Sequence, residues 1–317
     1  MLRYSCPDIE NFDKYMNEYT NKLGSTTEFY LSHKGNLSPN QIEKLDEHIV
    51  QTVKQLAEVR HHLQPIGKLI KLLEYTISGN LIDNVNAYNV AQYAATFIAF
   101  YHDIGKAEIS YQLYAHDQRS TVPPPHNYSS VAFLIHSNND NIYLEFVKNI
   151  VAKGLSLRTA DTLYLASLIA IVMHHEYYDY KDLSFIEVLT PSTLYLAKGV
   201  KHETILCFHA TVYDIIDNAL KKLKSSNIPK PSISSKTDIS ISFSEVVEYI
   251  ASLHYEFGAL RIEKLTVTEP DKRIELALSL AEALTWVLVL ADNLAAQYRG
   301  RCEDERSFFA NEILKWY

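Results

Sequence analysis

Glycine and cysteine are both scarce in this chain of 317 residues. The nine glycines are about 3% of the sequence, under half the average of roughly 7%. Such a low content argues against a turn-rich all-β fold and against the glycine-rich loop of dinucleotide-binding proteins. The three cysteines, Cys6, Cys207 and Cys302, are scattered, which predicts neither a disulfide framework nor a zinc site built on cysteine.

Long apolar runs are also missing. The longest, Leu163–Met173 and Ala283–Ala291, are shorter than the roughly 20 residues that a membrane helix needs. The N-terminal residues lack the apolar core of a secretion signal. We therefore expect a cytoplasmic protein with no membrane partner.

An excess of positive charge is missing as well, because the net charge is −8. Nucleic-acid binding relies on Lys and Arg contacts to phosphate, and the overall composition does not indicate such binding. One local exception is Lys221–Lys236, which holds five lysines and no acid. This stretch is either a phosphate-binding patch or a solvated surface loop.

Helical periodicity is what the sequence does contain. It predicts an all-α fold with an N-terminal extension (residues 1–38) and a main domain (39–317) that carries an insertion (221–267). In the insertion, Asp238–Phe243 and Arg261–Val267 could pair as a small β-hairpin around a helix, Glu245–Tyr255. The first predicted helix starts at Ser38 and breaks near Pro65, and the helix after the break ends before Gly79. Another helix is predicted to start at His126. The remaining predicted helices cover Tyr88–His102, Thr159–His175, Lys201–Lys224 and Thr268 to about Tyr298.

The segment His102-Asp103-Ile104-Gly105-Lys106 follows an apolar helix. Imidazole and carboxylate are ligands of divalent metals that act on phosphate. Gly105 would let the chain turn, and Lys106 could meet a phosphate oxygen. The alternative is an ordinary helix end, in which the basic residues complement the helix dipole.

Further candidate ligands lie in apolar surroundings. A carboxylate such as Asp292, within an apolar helix, is costly to bury unless it is paired or binds a metal. If the helix includes both residues, its periodicity places His62 on the apolar face that points into the core and places His61 on a face that points away from it. Taken singly, each candidate is as well explained by an ordinary core or surface role. The candidates are His62, His126, His174, His175 and Asp292.

Together and in this order, these residues resemble the HD metal-phosphohydrolase superfamily. The pair Tyr111-Gln112 and the helix start His126-Asn127-Tyr128-Ser129-Ser130 narrow the resemblance to the HD nuclease of type I CRISPR systems. The segment Ala291-Asp292-Asn293-Leu294-Ala295 matches the late Ala-Asp-x-Leu-Ala of that family. The chain departs from the family pattern at Gly67 and Glu176, and it carries no helicase motif. The resemblance therefore fits either a stand-alone HD nuclease subunit without its helicase or the HD domain of a larger effector subunit.

The resemblance implies two divalent ions bridged by Asp103, which with Lys106 would be the catalytic pair. His62, His102 and Asp292 would hold one ion, and His126, His174 and His175 the other. Histidine-rich ligation favours Mn²⁺, Co²⁺, Ni²⁺ or Fe²⁺ over Mg²⁺, and Mn²⁺ is the first choice. The residues expected to contact substrate phosphate are Lys106, Ser130, Arg299 and Arg301.

The implied function is hydrolysis of single-stranded DNA in CRISPR antiviral interference. The implied partners are a CRISPR effector complex and a separate helicase or large subunit. One alternative is an HD phosphohydrolase of small nucleotides or cyclic dinucleotides; its Gly-Tyr-Pro segment is absent after His174-His175-Glu176. The other is a non-catalytic helical interaction module.

Overall fold

The computed structural model of the chain describes residues 6, 8–23, 25, 29–32, 43–119, 125–179, 203–224, 227–232, 236–249 and 272–297. Most of these residues are helical, and their single sheet has two strands. The expectation of an all-α fold with a small β element is therefore confirmed.

The helices in chain order are α1 (Ile9–Leu23), α2 (Leu45–Gln55), α3 (Leu63–Ser78), α4 (Asn84–Tyr101), α5 (Ile109–Ala115), α6 (His126–Ile135), α7 (Asp140–Val151), α8 (Leu157–Asp179), α9 (Val212–Leu223) and α10 (Lys272–Gln297). Short 3-10 turns cover Arg60–His62, Ile104–Ala107 and Ser137–Asn139. Residues 243–249 are also helical.

Local signals explain several helix ends. Helix α3 ends at Gly79, whose φ of 77° lies in the left-handed region that glycine adopts without strain. Helix α4 begins after Asp83, whose carboxylate accepts a hydrogen bond from the backbone N–H of Asn86.

Helix α10 lies at the centre of the packing, against α2, α3, α4 and α8. Most faces of this helix are buried. This burial agrees with its sequence, which is apolar nearly all round and has no continuous polar face. Helices α3 and α4 also pack on each other, and α6 packs on α8 and on the turn Ile104–Ala107. The ends of several core helices therefore meet near that turn.

The sheet corrects one expectation. Residues Ile205–Phe208, expected within a helix, form strand β1, and the helix begins only at Val212. Strand β1 pairs antiparallel with β2 (Ile239–Ser242), in the register Ile205↔Ser242 to Phe208↔Ile239. The expected hairpin partner, Arg261–Val267, lies outside the described residues. A short β-branched and aromatic run, Ile-Leu-Cys-Phe, fits a buried strand as well as a helix turn, and tertiary pairing decides between them.

The N-terminal segment and the insertion both pack into the main core. Phe12, Phe29 and Tyr30 are fully buried in the same hydrophobic cluster as the central helices. In the insertion, Phe243 is buried, and the Pro229 carbonyl accepts a hydrogen bond from the buried Tyr101 hydroxyl. The described parts of both segments therefore belong to one packed unit.

Cys6 and Cys207 form a disulfide, although the scattered cysteines gave no reason to expect one. The bridge joins the segment before α1 to strand β1. Among the described residues, no helix is both long enough and apolar enough to cross a bilayer.

Candidate metal centre

The turn after α4 sets the geometry of the site. His102 is the residue that ends α4, and Asp103 precedes the 3-10 turn Ile104–Ala107. A Cβ atom added to Gly105 would lie 1.9 Å from the carbonyl oxygen of His126 and 2.4 Å from the backbone nitrogen of Ser130. Glycine is therefore required here because the N-terminus of α6 approaches the turn closely.

Ser130 is buried, and both of its hydrogen bonds are to this turn. Its hydroxyl donates to the carbonyl of His102 and accepts from the N–H of Gly105 at 2.8 Å. The side chain of Ser130 therefore fixes α6 against the turn, and its expected contact with substrate phosphate stays a prediction.

Asp103 lies between two groups of potential ligands. We call His48, His102, Asp103 and Asp292 the first ligand group, and Asp103, His126 and His174 the second; together they form the His–Asp centre. Within each group the ligand atoms lie within 4.8 Å of one another. Helices α2, α4, α6, α8 and α10 each bring side chains to it.

In the first ligand group, His48 Nε2 lies 3.0 Å from Asp103 Oδ2 and 2.9 Å from Asp292 Oδ1. His102 Nε2 lies 3.5 Å and 3.6 Å from the same two oxygens. In the second, the other oxygen of Asp103, Oδ1, lies 3.1 Å from His126 Nε2 and 3.9 Å from His174 Nε2. The two oxygens of Asp103 thus face different groups.

These spacings match ligands around one ion. Adjacent ligands at about 2.1 Å from a metal are about 3.0 Å apart in octahedral geometry and about 3.4 Å apart in tetrahedral geometry. All but one of the distances above lie near that range, and the His174–Asp103 distance would need a small contraction.

The histidines of the centre are oriented by their second ring nitrogens. Nδ1 of His102 lies 2.9 Å from the carbonyl oxygen of Ala99, and Nδ1 of His174 contacts that of Ile171. A carbonyl can only accept, so each Nδ1 donates to it and each Nε2 faces the centre. Metal-binding histidines are held in this way.

The charges of the centre also suit a cation. Burial and the nearby His102 lower the pKa of His174 to about 3, so its imidazole is neutral. Burial favours the neutral form of Asp103, but His102, Lys106 and His126 together hold its pKa well below the usual range. Likewise, His102 and His48 outweigh burial and keep the pKa of Asp292 low. Neutral imidazoles and ionised carboxylates are the forms that bind metals.

His48 differs from the other histidines. Burial lowers its pKa, but contacts with Asp103, Asp292 and Glu43 outweigh this effect and raise the pKa to about 10. In the absence of an ion its proton offsets part of the negative charge of the two aspartates. A divalent cation would compete with that proton.

His62 is not part of either ligand group, which corrects its predicted role as a ligand. It lies in the 3-10 turn before α3, and its ring is 4.2 Å from that of His61. Position counting assumed that the helix included His62, whereas α3 begins at Leu63. His48, on α2, stands where His62 was expected.

A sequence signal for His48 exists. His48 lies three residues after Leu45 and four before Thr52, and both of these neighbours are buried on the same face of α2. A histidine on the buried stripe of a helix is a candidate ligand. The tandem His61-His62 drew the assignment away from it.

Lys106 and the pair Tyr111-Gln112 support the centre. Lys106 is buried and donates to Asp103 Oδ2 at 2.6 Å. The Gln112 side chain donates to the carbonyl of Lys106, and the Tyr111 ring packs edge-on to His126 at 5.9 Å. The described structure thus gives this pair a positioning role.

The remaining predicted contacts are not supported or lie outside the described part. Within the lysine-rich stretch, Lys222 donates to Asp46 at 2.7 Å and Lys236 donates to Asp217 at 2.6 Å. These two lysines are paired with carboxylates of the chain rather than held ready for phosphate. The side chain of His175, and Arg299 and Arg301, lie outside the described residues.

The residues present fit a divalent cation. Within the described part of the chain, the buried atoms His102 Nε2, Asp103 Oδ1 and Asp292 Oδ1 face the other side chains of the centre, and no hydroxyl or amide donates to them. Buried polar atoms in proteins almost always have a partner, and a cation would supply one. The donor set of histidine nitrogens and carboxylate oxygens is typical of a transition metal.

No family model matches the chain, and comparisons with curated proteins and with solved structures also give no match. The functional assignment therefore depends on the geometry and chemistry of the His–Asp centre.

Proposed function

We propose that the protein is a metal-dependent phosphodiesterase of the HD type, a nuclease that hydrolyses single-stranded DNA. The observation that carries the proposal is the position of Asp103, whose two oxygens face two different ligand groups. A carboxylate placed in this way can bridge two ions. Pairs of divalent ions with a shared ligand are typical of enzymes that cleave phosphodiesters.

The two groups would hold two transition-metal ions, with Mn²⁺ as the first candidate. When bound, such ions supply Lewis acidity for attack on phosphorus and for departure of the leaving oxygen. The chain itself holds the geometry. Asp103 keeps the two groups together, and Lys106 places a positive charge 2.6 Å from its Oδ2, where it could bind a phosphate oxygen.

One side of the centre is more open than the other. The side chains of His126 and Asp292 are 17% and 21% exposed, whereas those of His48 and His102 are fully buried. A substrate phosphate would therefore reach the centre from the side of His126 and Asp292. An open rim suits the backbone of a single strand, which can bend into it. In this proposal, partners of the CRISPR effector type deliver the strand.

The direct test is a panel of substrates and metals. The purified protein is stripped of metal and assayed with Mn²⁺, Co²⁺, Ni²⁺, Fe²⁺ or Mg²⁺ on single-stranded DNA, single-stranded RNA, duplex DNA and cyclic dinucleotides. We expect cleavage of single-stranded DNA, strongest with Mn²⁺. Preferential hydrolysis of cyclic dinucleotides would replace the nuclease by a small-molecule phosphodiesterase, and inactivity towards all substrates would contradict the proposal.

The matched variants are Asp103→Asn and Asp161→Asn. Asp103→Asn keeps the size of the shared ligand but removes its charge, so cleavage should be lost. Asp161 lies away from the centre and accepts a hydrogen bond from Tyr143, which asparagine can still accept. Its variant should retain activity. A folded Asp103→Asn protein with full activity would overturn the two-metal proposal.

A further inference from the structure

A second carboxylate lies directly behind His48. Glu43 is buried, and its Oε2 is 3.2 Å from Nδ1 of His48, on the side of the ring that faces away from the His–Asp centre. The hydroxyl of Ser32 donates to the same oxygen at 2.8 Å. His48 is thus contacted through Nδ1 by Glu43 and through Nε2 by Asp103 and Asp292.

The backbone around Glu43 is fixed by the N-terminal segment. The N–H of Ser32 donates to the carbonyl of Glu43 at 3.0 Å, and the N–H of Leu45 donates to the carbonyl of Tyr30 at 2.9 Å. These two bonds form a short antiparallel bridge between Leu31 and Lys44. The bridge holds Glu43 two residues before the start of α2 at Leu45.

Gln112 ties this bridge to the turn that carries Asp103. Its Oε1 accepts from the N–H of Leu31 at 2.9 Å, and its Nε2 donates to the carbonyls of Leu31 and Lys106 at 2.9 Å and 2.6 Å. Hydrogen bonds therefore link the metal-facing turn, the N-terminal segment and Glu43. A shift of the N-terminal segment would move the carboxylate behind His48.

A buried carboxylate is costly unless it is well partnered. His102 and His174 have backbone carbonyls behind their rings, whereas His48 has an ionisable side chain there. An acceptor behind a metal-binding imidazole fixes the tautomer and the ring orientation, and a carboxylate also increases the basicity of the ligand nitrogen.

We propose that Glu43, held by Ser32, is a positioning residue that orients His48 as a ligand of the first ligand group. The inference depends on the metal centre of the proposed function, but not on its nuclease activity or its substrate. It also gives the N-terminal segment a role: residues 29–32 complete the support of the centre.

The test is metal binding by the full-length chain, without any substrate. Mn²⁺ binding to the metal-free protein is measured by titration calorimetry, and the Co²⁺ derivative is examined by its visible absorption spectrum. Loss of an outer partner of a metal ligand typically costs about 10–100-fold in affinity. We expect a loss of that size at one ion for Glu43→Ala, with an altered Co²⁺ spectrum, and a smaller loss for Glu43→Gln, because an amide oxygen can still accept from Nδ1.

Glu47→Ala is the matched control. Glu47 is in the first turn of the same helix, is about half exposed, and pairs with Lys44 and Lys222 rather than with His48. Its removal should leave affinity and spectrum unchanged. Ser32→Ala provides a second variant that keeps the carboxylate but removes its hydrogen-bond donor, and we expect a loss of affinity smaller than that of Glu43→Ala.

The outcomes distinguish the positioning role of Glu43 from the metal centre and from the nuclease activity. If Glu43→Ala and Ser32→Ala are folded and bind Mn²⁺ with wild-type affinity and an unchanged Co²⁺ spectrum, the positioning role is wrong while the metal centre stands. If the wild-type chain binds no divalent ion, the metal centre is wrong and this inference fails with it. Metal binding that is weakened as expected, in a protein that cleaves no nucleic acid, would support the inference and contradict only the nuclease.

Discussion

Buried carboxylates in two regions of this molecule have opposite surroundings. Glu74, on α3, is fully buried and accepts hydrogen bonds from the Ser78 hydroxyl and from both the N–H and the hydroxyl of Ser156, at 3.0 Å each for Ser156. In contrast, no hydroxyl or amide of the described residues donates to the buried Asp103 Oδ1 or Asp292 Oδ1, which face histidine nitrogens.

The difference distinguishes a structural polar cluster from a binding site. Around Glu74, hydroxyl and amide donors satisfy the charge, and the cluster joins the end of α3 to the start of α8. In the His–Asp centre, carboxylate oxygens face histidine nitrogens instead. Lys106 and the proton of His48 offset only part of the negative charge, and the rest of the desolvation cost is left for a cation to offset. A carboxylate taken out of water therefore has a structural role in one place and a proposed functional role in the other.

The largest expected effect separates His48 from His62. In His48→Ala the first ligand group loses a ligand, so Mn²⁺ binding should fall from two ions towards one per chain. Loss of a residue that only supports a metal ligand costs about 10–100-fold in affinity, and loss of the ligand itself should cost more. His62→Ala should bind as the wild type does. Calorimetric stoichiometry measures both, and the reverse result would restore His62 as the ligand and reject the geometry described above.

Metal binding should stabilise one carboxylate cluster and not the other. Mn²⁺ at 100 times its dissociation constant should stabilise the folded chain by about 2.7 kcal/mol per ion, and chelation should reverse the effect. Thermal unfolding with and without Mn²⁺ measures it. Asp103→Asn should lose most of this stabilisation by Mn²⁺. Glu74→Gln should keep all of it, although its stability without metal is lower. A metal response that survives in Asp103→Asn would mean that the ion binds elsewhere.

The helices could be predicted from the sequence because their signals are local. The left-handed Gly79 ends α3, and the prediction that a helix begins at His126 after the prolines agrees with the bounds of α6. Strand β1 could not be predicted, since a run of four apolar residues becomes a strand only when β2, more than thirty residues later, lies beside it.

The candidate site could be predicted in part. His102, Asp103, His126, His174 and Asp292 were all proposed from the sequence, and the structure brings them together. His48 was missed because the tandem His61-His62 drew the assignment to the following helix. Its neighbour Asp46 is buried through contacts with Asn218 and Lys222 on α9, which a local pattern does not show. The role of Glu43 depends on a backbone bridge to the N-terminal segment, which no local pattern reveals.

The Glu74 cluster should contribute to stability alone. Glu74→Gln replaces a charged acceptor of several hydrogen bonds by a neutral amide, which should cost about 2 kcal/mol of unfolding free energy. The exposed Glu58 provides the control Glu58→Gln, which should change stability little. Urea unfolding at neutral pH measures both. A loss of Mn²⁺ binding in Glu74→Gln would contradict the separation of the two clusters.

The smallest expected effect is the pH dependence of the unfolding free energy that is lost in Glu74→Gln. Burial alone would raise the pKa of Glu74, but the hydrogen bonds from Ser78, Thr159 and Ser156 outweigh it and lower the pKa below its usual value. A carboxylate whose pKa is lower in the folded than in the unfolded chain stabilises the fold above the unfolded value of roughly 4.3. That stabilisation is lost as the pH falls through the lowered, folded value. The difference in unfolding free energy between the wild type and Glu74→Gln should therefore be constant from about pH 6 to 8 and should shrink as the pH falls below about 4.5. Urea unfolding of both metal-free proteins at each pH measures the difference, and carboxylates common to both proteins cancel in it. A difference that stays constant down to pH 3.5 would mean that Glu74 acts through the shape of its side chain and not through its charge.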